Sequence, residues 1–265
     1  MFPPKLRALL QTAPRKMVFL DSWIVPVLLA PFIGSFLGVV VTRVGTPERI
    51  LVGRSVCMLC GTTLAARDLI PFGSWIVLRG RCRNCGQAIG HFPLVIELAA
   101  LLVALWSASL VSGGLLWASC IFGWLLLALA ATDLKYFLLP DFLTFPLMAA
   151  GLLATWWFTP ATLLPNIAAA AGGYFFVVTL RHVYGLLRGR EGIGLGDAKL
   201  LAASGAWVSW YGLPSVILLA ALTALAFALW NKRSSGVSPA DRIPFGAFLA
   251  FGTWIVWLYG PLTFD

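Results

Sequence analysis

Four carboxylates border or enter long apolar stretches of this 265-residue chain, where charged groups are costly and therefore candidates for chemistry. They are Glu97, Asp133, Asp141 and Asp197. Asp133 closes one apolar stretch and Asp197 opens another, and a lysine lies two residues after each. Two carboxylates that meet can share one proton, so that one activates a water molecule while the other polarises a peptide carbonyl. Asp133 and Asp197 are therefore a candidate catalytic pair.

The same carboxylates also have structural interpretations. Asp197 can cap the N-terminus of an apolar helix. Asp133 can form an ion pair with Lys135 or Lys199. Asp141 directly follows a proline and is interpreted as the N-cap of the next helix. Composition alone leaves the catalytic pair and these structural roles as alternatives.

The cysteines form a second candidate site. Two C-x-x-C-G motifs contain four of the five cysteines, Cys57, Cys60, Cys82 and Cys85. Each motif supplies two thiolates from one tight turn, and the glycine that follows accepts the backbone angles of that turn. The spacing predicts a structural Cys₄ zinc site, with two disulfides or four buried thiols as the alternative. Disulfides are rare on the cytoplasmic side of a membrane, which favours zinc.

Composition places both candidate sites in a membrane protein. Hydrophobic residues make up 60% of the chain and charged residues 11%, whereas soluble domains have roughly 45–50% and about 25%. A soluble enzyme is therefore excluded, as are disordered, collagen-like and coiled-coil chains. Because a helix needs about 20 apolar residues to cross a bilayer, we predict about eight transmembrane helices. They lie at residues 23–41, 94–111, 115–131, 142–158, 161–180, 200–210, 213–230 and 245–259.

The net charge of +9 indicates the topology of these helices. Basic residues follow the first, third, fifth and seventh predicted spans, and they are absent after the second, fourth and sixth. The positive-inside bias makes the basic loops cytoplasmic, which places Asp133 and Asp197 together at the inner face. The basic tail at residues 1–22 is the exception, and we interpret it as preceding an uncleaved first span rather than as a signal peptide. Since the basic residues are explained by the membrane topology and are not gathered with aromatic residues, nucleic-acid binding is not expected.

With these features the chain resembles the type IV prepilin leader peptidases, membrane aspartic proteases that carry a G-x-G-D motif. The motifs that carry the resemblance occur in order over nearly the whole chain. They are GSFL at 34–37, the two cysteine motifs, DLIP at 68–71, SW at 74–75, LRGRC at 78–82, TDL at 132–134, LPD at 139–141, GLGDAKL at 194–200 and IPFGAFL at 243–249. The resemblance implies an all-α fold of eight spans with Asp133 and Asp197 as the catalytic aspartates.

The resemblance also implies the substrate, the short basic leader of type IV pilin or pseudopilin precursors, as found in type IV pili and type II secretion. The leader is cut at the cytoplasmic face of the bacterial inner membrane, just before the hydrophobic helix. Many members then N-methylate the new N-terminus with S-adenosylmethionine. That activity is assigned to the zinc loop and its flanks, where Glu97 is the candidate residue.

These expectations imply four segments along the chain. They are a basic tail at 1–22, a first transmembrane helix at 23–42, a cytoplasmic zinc-knuckle domain with a possible methyltransferase role at 43–93, and a seven-helix peptidase domain at 94–265. A zinc loop of this size has too little core to fold alone, so the metal supplies most of its stability.

The sequence departs from the family pattern in the region linked to methyl transfer. Gly38 replaces the usual asparagine, and the usual R-Y-P-L-V-E reads FPLVIE at 92–97, which lacks the arginine and the tyrosine. Glu97 keeps its distance from the last cysteine of the loop. These changes leave open a peptidase that has a structural zinc loop and no methyl transfer, in which Glu97 anchors the start of the second span.

Two further hypotheses belong to other classes of protein. A G-x-G-D protease for an archaeal-type or tight-adherence pilin precursor would typically lack the four-cysteine loop. A non-enzymatic channel or transporter that binds a cation at Asp133 and Asp197 predicts polar stripes through several spans, yet these spans are apolar almost throughout. The sequence therefore favours the prepilin peptidase.

Overall fold

The computed structural model describes residues 22–44, 56–57, 60–189, 194–235 and 243–262, so nearly all of the predicted basic tail at 1–22 lies outside the described residues. Within them the chain is almost entirely helical, and its only β-type pairings are two isolated bridges. The α-helices are α1 Ile24–Arg43, α2 Gly73–Val77, α3 Phe92–Leu110, α4 Gly113–Tyr136, α5 Asp141–Phe158, α6 Leu163–Arg188, α7 Leu195–Ser235 and α8 Phe245–Tyr259. The all-α prediction is confirmed.

Six of these helices, α1 and α3 to α7, are long and apolar enough to cross a membrane, and α8 is a shorter apolar helix. The two predicted spans at 200–210 and 213–230 both lie in α7. The backbone of α7 breaks at Ser209, within the last two residues of the first of these spans, where φ is 62° and ψ is −178°. Pro214 follows, and it lacks the N–H that an unbroken helix would bond to the carbonyl of Trp210. All eight predicted apolar segments are therefore helical, and the chain is a multi-pass membrane protein.

The described residues form two compact units, and the boundary between Ala128 and Leu129 falls within α4. In the first unit α1 packs against α3. A Cβ atom at Gly34 would lie 2.6 Å from the Cα atom of Glu97, so this glycine permits the close approach of the two backbones. The Trp124 indole of α4 donates a buried hydrogen bond to the Ala100 carbonyl at 3.0 Å.

In the second unit α7 lies against α5, α6 and α8. Where α5 meets α7, the Trp207 indole donates to the Leu147 carbonyl at 2.8 Å and occupies the space beside Gly151. Where α7 meets α8, Ser204 and Thr253 share a buried hydrogen bond of 2.8 Å. These polar contacts inside an apolar bundle fix the register of α7, the helix that begins with the predicted Asp197 motif.

Candidate active site and metal centre

Asp133 lies near the end of α4 and is held by the start of α8. Its Oδ2 atom accepts a hydrogen bond from the Ala247 N–H at 2.9 Å, and the Gly246 N–H also donates to this carboxylate. The first N–H groups of a helix have no partner within the helix and attract negative charge, so α8 offers a ready site for the carboxylate. The Asp133 residue is only 6% exposed. Backbone donors thus fix both its place and its orientation.

Asp197 lies in the first turn of α7, which begins at Leu195. It is therefore not the N-cap of that helix. The backbone N–H of Gly194 donates a hydrogen bond to its carboxylate, and a Cβ atom at Gly194 would lie 3.3 Å from Oδ2. Gly194 thus places no side chain against the Asp197 carboxylate, whereas Leu139 occupies the space beside Gly196 on the other side.

Asp133 and Asp197 lie within electrostatic range of each other. Leu139 occupies the space beside both Gly196 and Gly246, the glycines next to the two carboxylates. The structure therefore brings the two residues to one region, although 63 residues lie between them in the chain. Lys199, a possible partner of Asp133 by sequence, forms its ion pair with Asp141 instead. The catalytic roles of Asp133 and Asp197 stay predictions.

Sequence reasoning missed the groups that hold the pair. The donors at Gly246 and Ala247 are backbone N–H groups, which the residue types in a sequence do not identify. The available signal is the proline of the IPFGAFL motif, because a proline before an apolar run marks the start of a helix. It predicts unpaired N–H groups there, but it does not reveal which carboxylate they bind.

The four predicted ligand cysteines form one cluster. Their sulfur atoms all lie within 4.8 Å of one another, and the Sγ atoms of Cys57 and Cys85 are 3.9 Å apart. Tetrahedral zinc with Zn–S bonds of about 2.3 Å places its sulfurs about 3.8 Å apart, whereas a disulfide requires about 2.0 Å. The four cysteines are free thiols, and the fifth, Cys120, is buried within α4. The cluster therefore has the geometry to bind a metal ion.

The two cysteine motifs fold alike. In the first turn Cys57 accepts from the Gly61 N–H at 2.9 Å, and in the second Cys82 accepts from the Gly86 N–H at 2.9 Å, in both cases through the carbonyl. Gly61 and Gly86 have φ values of 68° and 69°, which is the left-handed conformation expected of these glycines. The two motifs are equivalent turns that present their thiols to a common centre.

Polar neighbours join the two turns and favour the thiolate. The Asn84 side chain of the second turn donates to the Thr62 hydroxyl of the first at 2.8 Å. Hydrogen bonding with Thr62 lowers the pKa of the Cys60 thiol from its ordinary value of 9.0 to about 6. Metals bind the thiolate form, so this shift favours metal binding by Cys60. A hydrogen bond with the Gln87 backbone lowers the pKa of the Cys85 thiol, but desolvation and the neighbouring cysteine sulfurs outweigh it and raise this pKa to about 11. Asn84 and Thr62 gave no signal in the sequence.

Glu97 lies in α3 and points at the loop. Its Oε2 atom accepts a hydrogen bond from the Phe72 N–H at 2.9 Å, and the residue is only 5% exposed. Phe72 has a φ of 58°, a strained value for a bulky residue that needs support from its surroundings. Glu97 therefore anchors the segment before α2 to α3.

Comparisons with known proteins identify the family of the chain. The model of the type IV leader peptidase family matches residues 120–229, and that of the bacterial peptidase A24 N-terminal domain matches residues 28–111. A relative from Aeromonas salmonicida named prepilin leader peptidase/N-methyltransferase is 37% identical over 259 residues, which covers 88% of this chain and 89% of the relative.

Relatives of the same name occur in other bacteria. The one from Burkholderia pseudomallei (strain K96243) is 40% identical and covers 85% of this chain and 82% of its own length. The one from Pseudomonas aeruginosa is 34% identical, with 88% and 89% covered. The search of solved structures found no significant match. Identity of this extent over nearly the full length shows that the chain belongs to the type IV leader peptidase family.

Proposed function

We propose that the protein is a prepilin leader peptidase that removes the basic leader of type IV pilin or pseudopilin precursors. The observation that carries this proposal is that Asp133 and Asp197 lie in one region, within electrostatic range of each other, in a chain of the type IV leader peptidase family. The names of the relatives describe the same activity. The proposal places the protein in the bacterial inner membrane, with the aspartates at the cytoplasmic face where the basic loops lie.

The mechanism uses the two carboxylates as a unit that shares one proton. The ionised carboxylate takes a proton from water as the water attacks the scissile carbonyl carbon, and the protonated one gives its proton to the carbonyl oxygen. The gem-diol then collapses: the first carboxyl passes its proton to the leaving nitrogen as the C–N bond breaks, and the other carboxylate takes a proton from a diol hydroxyl, which restores the pair. The N–H groups of Gly246 and Ala247 hold Asp133 in place throughout. Asp197 is partly exposed, and Gly194 places no side chain against its carboxylate, so the leader peptide reaches Asp197 from the Gly194 side of the turn.

The cysteine cluster binds a structural zinc ion in this proposal. The sulfur separations fit a closed tetrahedral site, which has no open position for a substrate. Zinc bound by Cys57, Cys60, Cys82 and Cys85 clamps the two turns together and stabilises a loop with little core of its own. We assign residues 43–93 as the zinc domain and 94–265 as the peptidase domain.

N-methylation of the new N-terminus is a second candidate function, because the relatives are named prepilin leader peptidase/N-methyltransferase. S-adenosylmethionine would be the methyl donor. The contacts of Glu97 support an anchoring role, since its carboxylate already accepts the Phe72 N–H. Gly38 packs on α3 so closely that a Cβ atom there would lie 3.1 Å from Ile96, so an asparagine would require rearrangement. These contacts favour the peptidase with a structural zinc loop.

Mass spectrometry of a processed pilin tests both activities together. Purified protein is mixed with a type IV prepilin in detergent, and the mass of the pilin N-terminus is followed with and without S-adenosylmethionine. Loss of the leader mass supports the peptidase, and a further gain of one methyl group supports methyl transfer. An uncut prepilin would refute the proposed function, whereas a cut but unmodified terminus would refute methylation alone.

A further inference from the structure

The connection between α4 and α5 touches both elements that hold the aspartates. Leu139 fills the space beside two glycines. A Cβ atom at Gly196 would lie 3.0 Å from the Leu139 Cβ atom, and one at Gly246 would lie 2.8 Å from the Leu139 Cδ1 atom. Gly196 directly precedes Asp197, and Gly246 donates its N–H to Asp133. Leu139 therefore lies against the backbone next to each member of the pair.

The backbone of this connection is constrained at both ends. Phe137 leaves α4 with a φ of 55°, and its N–H donates to the Asp133 carbonyl at 2.9 Å. A bulky residue keeps this left-handed conformation only where its surroundings require it. Pro140 follows as the N-cap of α5 and restricts Leu139 to an extended conformation. The side chain of Leu139 is thus presented by a rigid segment.

An ion pair then ties the same segment to α7. The Lys199 ammonium group donates to the Asp141 carboxylate, which belongs to the first residue of α5. Lys199 lies two residues after Asp197, and its Nζ atom is 6.0 Å from the centre of the Phe145 ring. Both side chains are partly exposed, 30% for Lys199 and 54% for Asp141. Exposed ion pairs add little to stability, so variants that lack this pair are expected to fold and to show its role in their activity.

We propose that Leu139 and the Asp141–Lys199 ion pair are positioning residues that hold the Asp197 turn at its working distance from Asp133. This inference rests on the proposed function of the two aspartates. Leu139 lies between the Gly196 backbone and α8 and sets the distance between them. The ion pair holds the N-terminal part of α7, at Lys199, to the start of α5, at Asp141. A shift of the turn changes how the two carboxylates share their proton, so it alters kcat and its pH profile while leader binding persists.

Variants of Leu139 test the spacing. Leu139→Ala removes the contact with Gly246, and Leu139→Met keeps the volume and serves as the matched control. We expect roughly a tenfold lower kcat, an unchanged KM and a displaced pH profile for Leu139→Ala, with Leu139→Met close to wild type. A wild-type kcat for Leu139→Ala, or a loss that appears only in KM, would overturn the role of Leu139.

A double-mutant cycle tests the ion pair and does not depend on whether the Leu139 variants fold. Asp141→Asn, Lys199→Gln and the double variant should lower kcat by about the same factor, because each breaks one shared interaction. Lys199→Arg should recover most of the activity. If kcat of the double variant fell by the product of the two single-variant factors, or if no variant changed kcat, the pairing would be refuted.

The same assay separates failure of this inference from failure of the proposed function. Asp133→Asn is measured beside the positioning variants. If Asp133→Asn is inactive while the Leu139 and Asp141–Lys199 variants behave as wild type, only the positioning role is wrong. If Asp133→Asn cleaves normally, the proposed mechanism fails and the positioning role fails with it.

Discussion

Replacement of Gly246 by alanine adds one methyl group at the start of α8, beside Asp133. The Cβ atom would lie 3.0 Å from Asp133 Oδ2 and 2.8 Å from Leu139 Cδ1, whereas ordinary contacts begin at 3.4 Å. The Leu139 side chain can move its terminal methyl groups away by rotation about a side-chain bond. The carboxylate cannot yield as easily, because the N–H groups of Gly246 and Ala247 both bind it. Gly246→Ala therefore displaces Asp133 by about 0.4 Å, or strains its hydrogen bonds.

The size of the effect follows from the tolerance of catalytic sites. Reacting groups must be held within about 0.5 Å of their working positions, and a misplacement of about 1 Å costs roughly a hundredfold in rate. A shift of about 0.4 Å should thus lower kcat about tenfold, which corresponds to about 1.4 kcal/mol of transition-state stabilisation. Stability should change little, because alanine is at least as favourable as glycine within a helix.

Steady-state cleavage of a prepilin measures this effect, with thermal unfolding in detergent as the check on folding. Gly185→Ala in α6 is the matched control, since a Cβ atom there would meet no atom within 4 Å. The control should cleave as the wild type does. If Gly246→Ala also kept wild-type kcat, Asp133 would not be held as the structure shows, or it would not take part in cleavage.

Three further predictions concern stability and metal content. Gly151→Ala places a Cβ atom 2.6 Å from the Trp207 indole. Overpacking and loss of the indole hydrogen bond should lower the free energy of unfolding by about 2–4 kcal/mol, and an unchanged Tm in detergent would contradict this. Joint replacement of Cys57 and Cys82 by serine should release one zinc ion per chain, and metal analysis that finds no zinc in the wild type would refute the site. A hydrogen bond from Arg83 holds the pKa of Asp68 below the ordinary value of 3.8. This bond therefore stabilises the loop above that pH, and the stabilisation is lost as the pH falls through the folded-state pKa. Limited proteolysis should therefore distinguish Asp68→Asn from wild type at neutral pH but not in acid, and a difference that is constant with pH would argue against this role.

The features that can be predicted from the sequence depend on residue type, on short motifs or on long apolar runs. Apolar length fixes where helices cross a membrane, so all eight predicted segments are helical. Acidic residues are scarce in the chain, and this scarcity singles out the four carboxylates at the borders of apolar stretches. The predicted topology then places Asp133 and Asp197 at one face. The spacing of the cysteines predicts that all four share one cluster, because each motif forms a local turn.

The features that the sequence does not reveal depend on tertiary contacts. Asp141 is expected from its sequence neighbours to be the N-cap of α5, but Pro140 holds that position and the Asp141 carboxylate pairs with Lys199. A lysine 58 residues away competes with the local cap, and sequence spacing gives no sign of it. The contacts of Leu139 with Gly196 and Gly246 are equally distant in sequence, since they connect the starts of three helices.

The most direct test of the proposed mechanism is prepilin cleavage by Asp133→Asn, Asp197→Asn and the double variant, each purified and shown to unfold at the wild-type temperature. Residues that act as one unit have strongly non-additive effects. We predict that either single substitution abolishes leader cleavage and that the double variant is no worse. Cleavage at the wild-type rate by either single variant would contradict the two-aspartate mechanism.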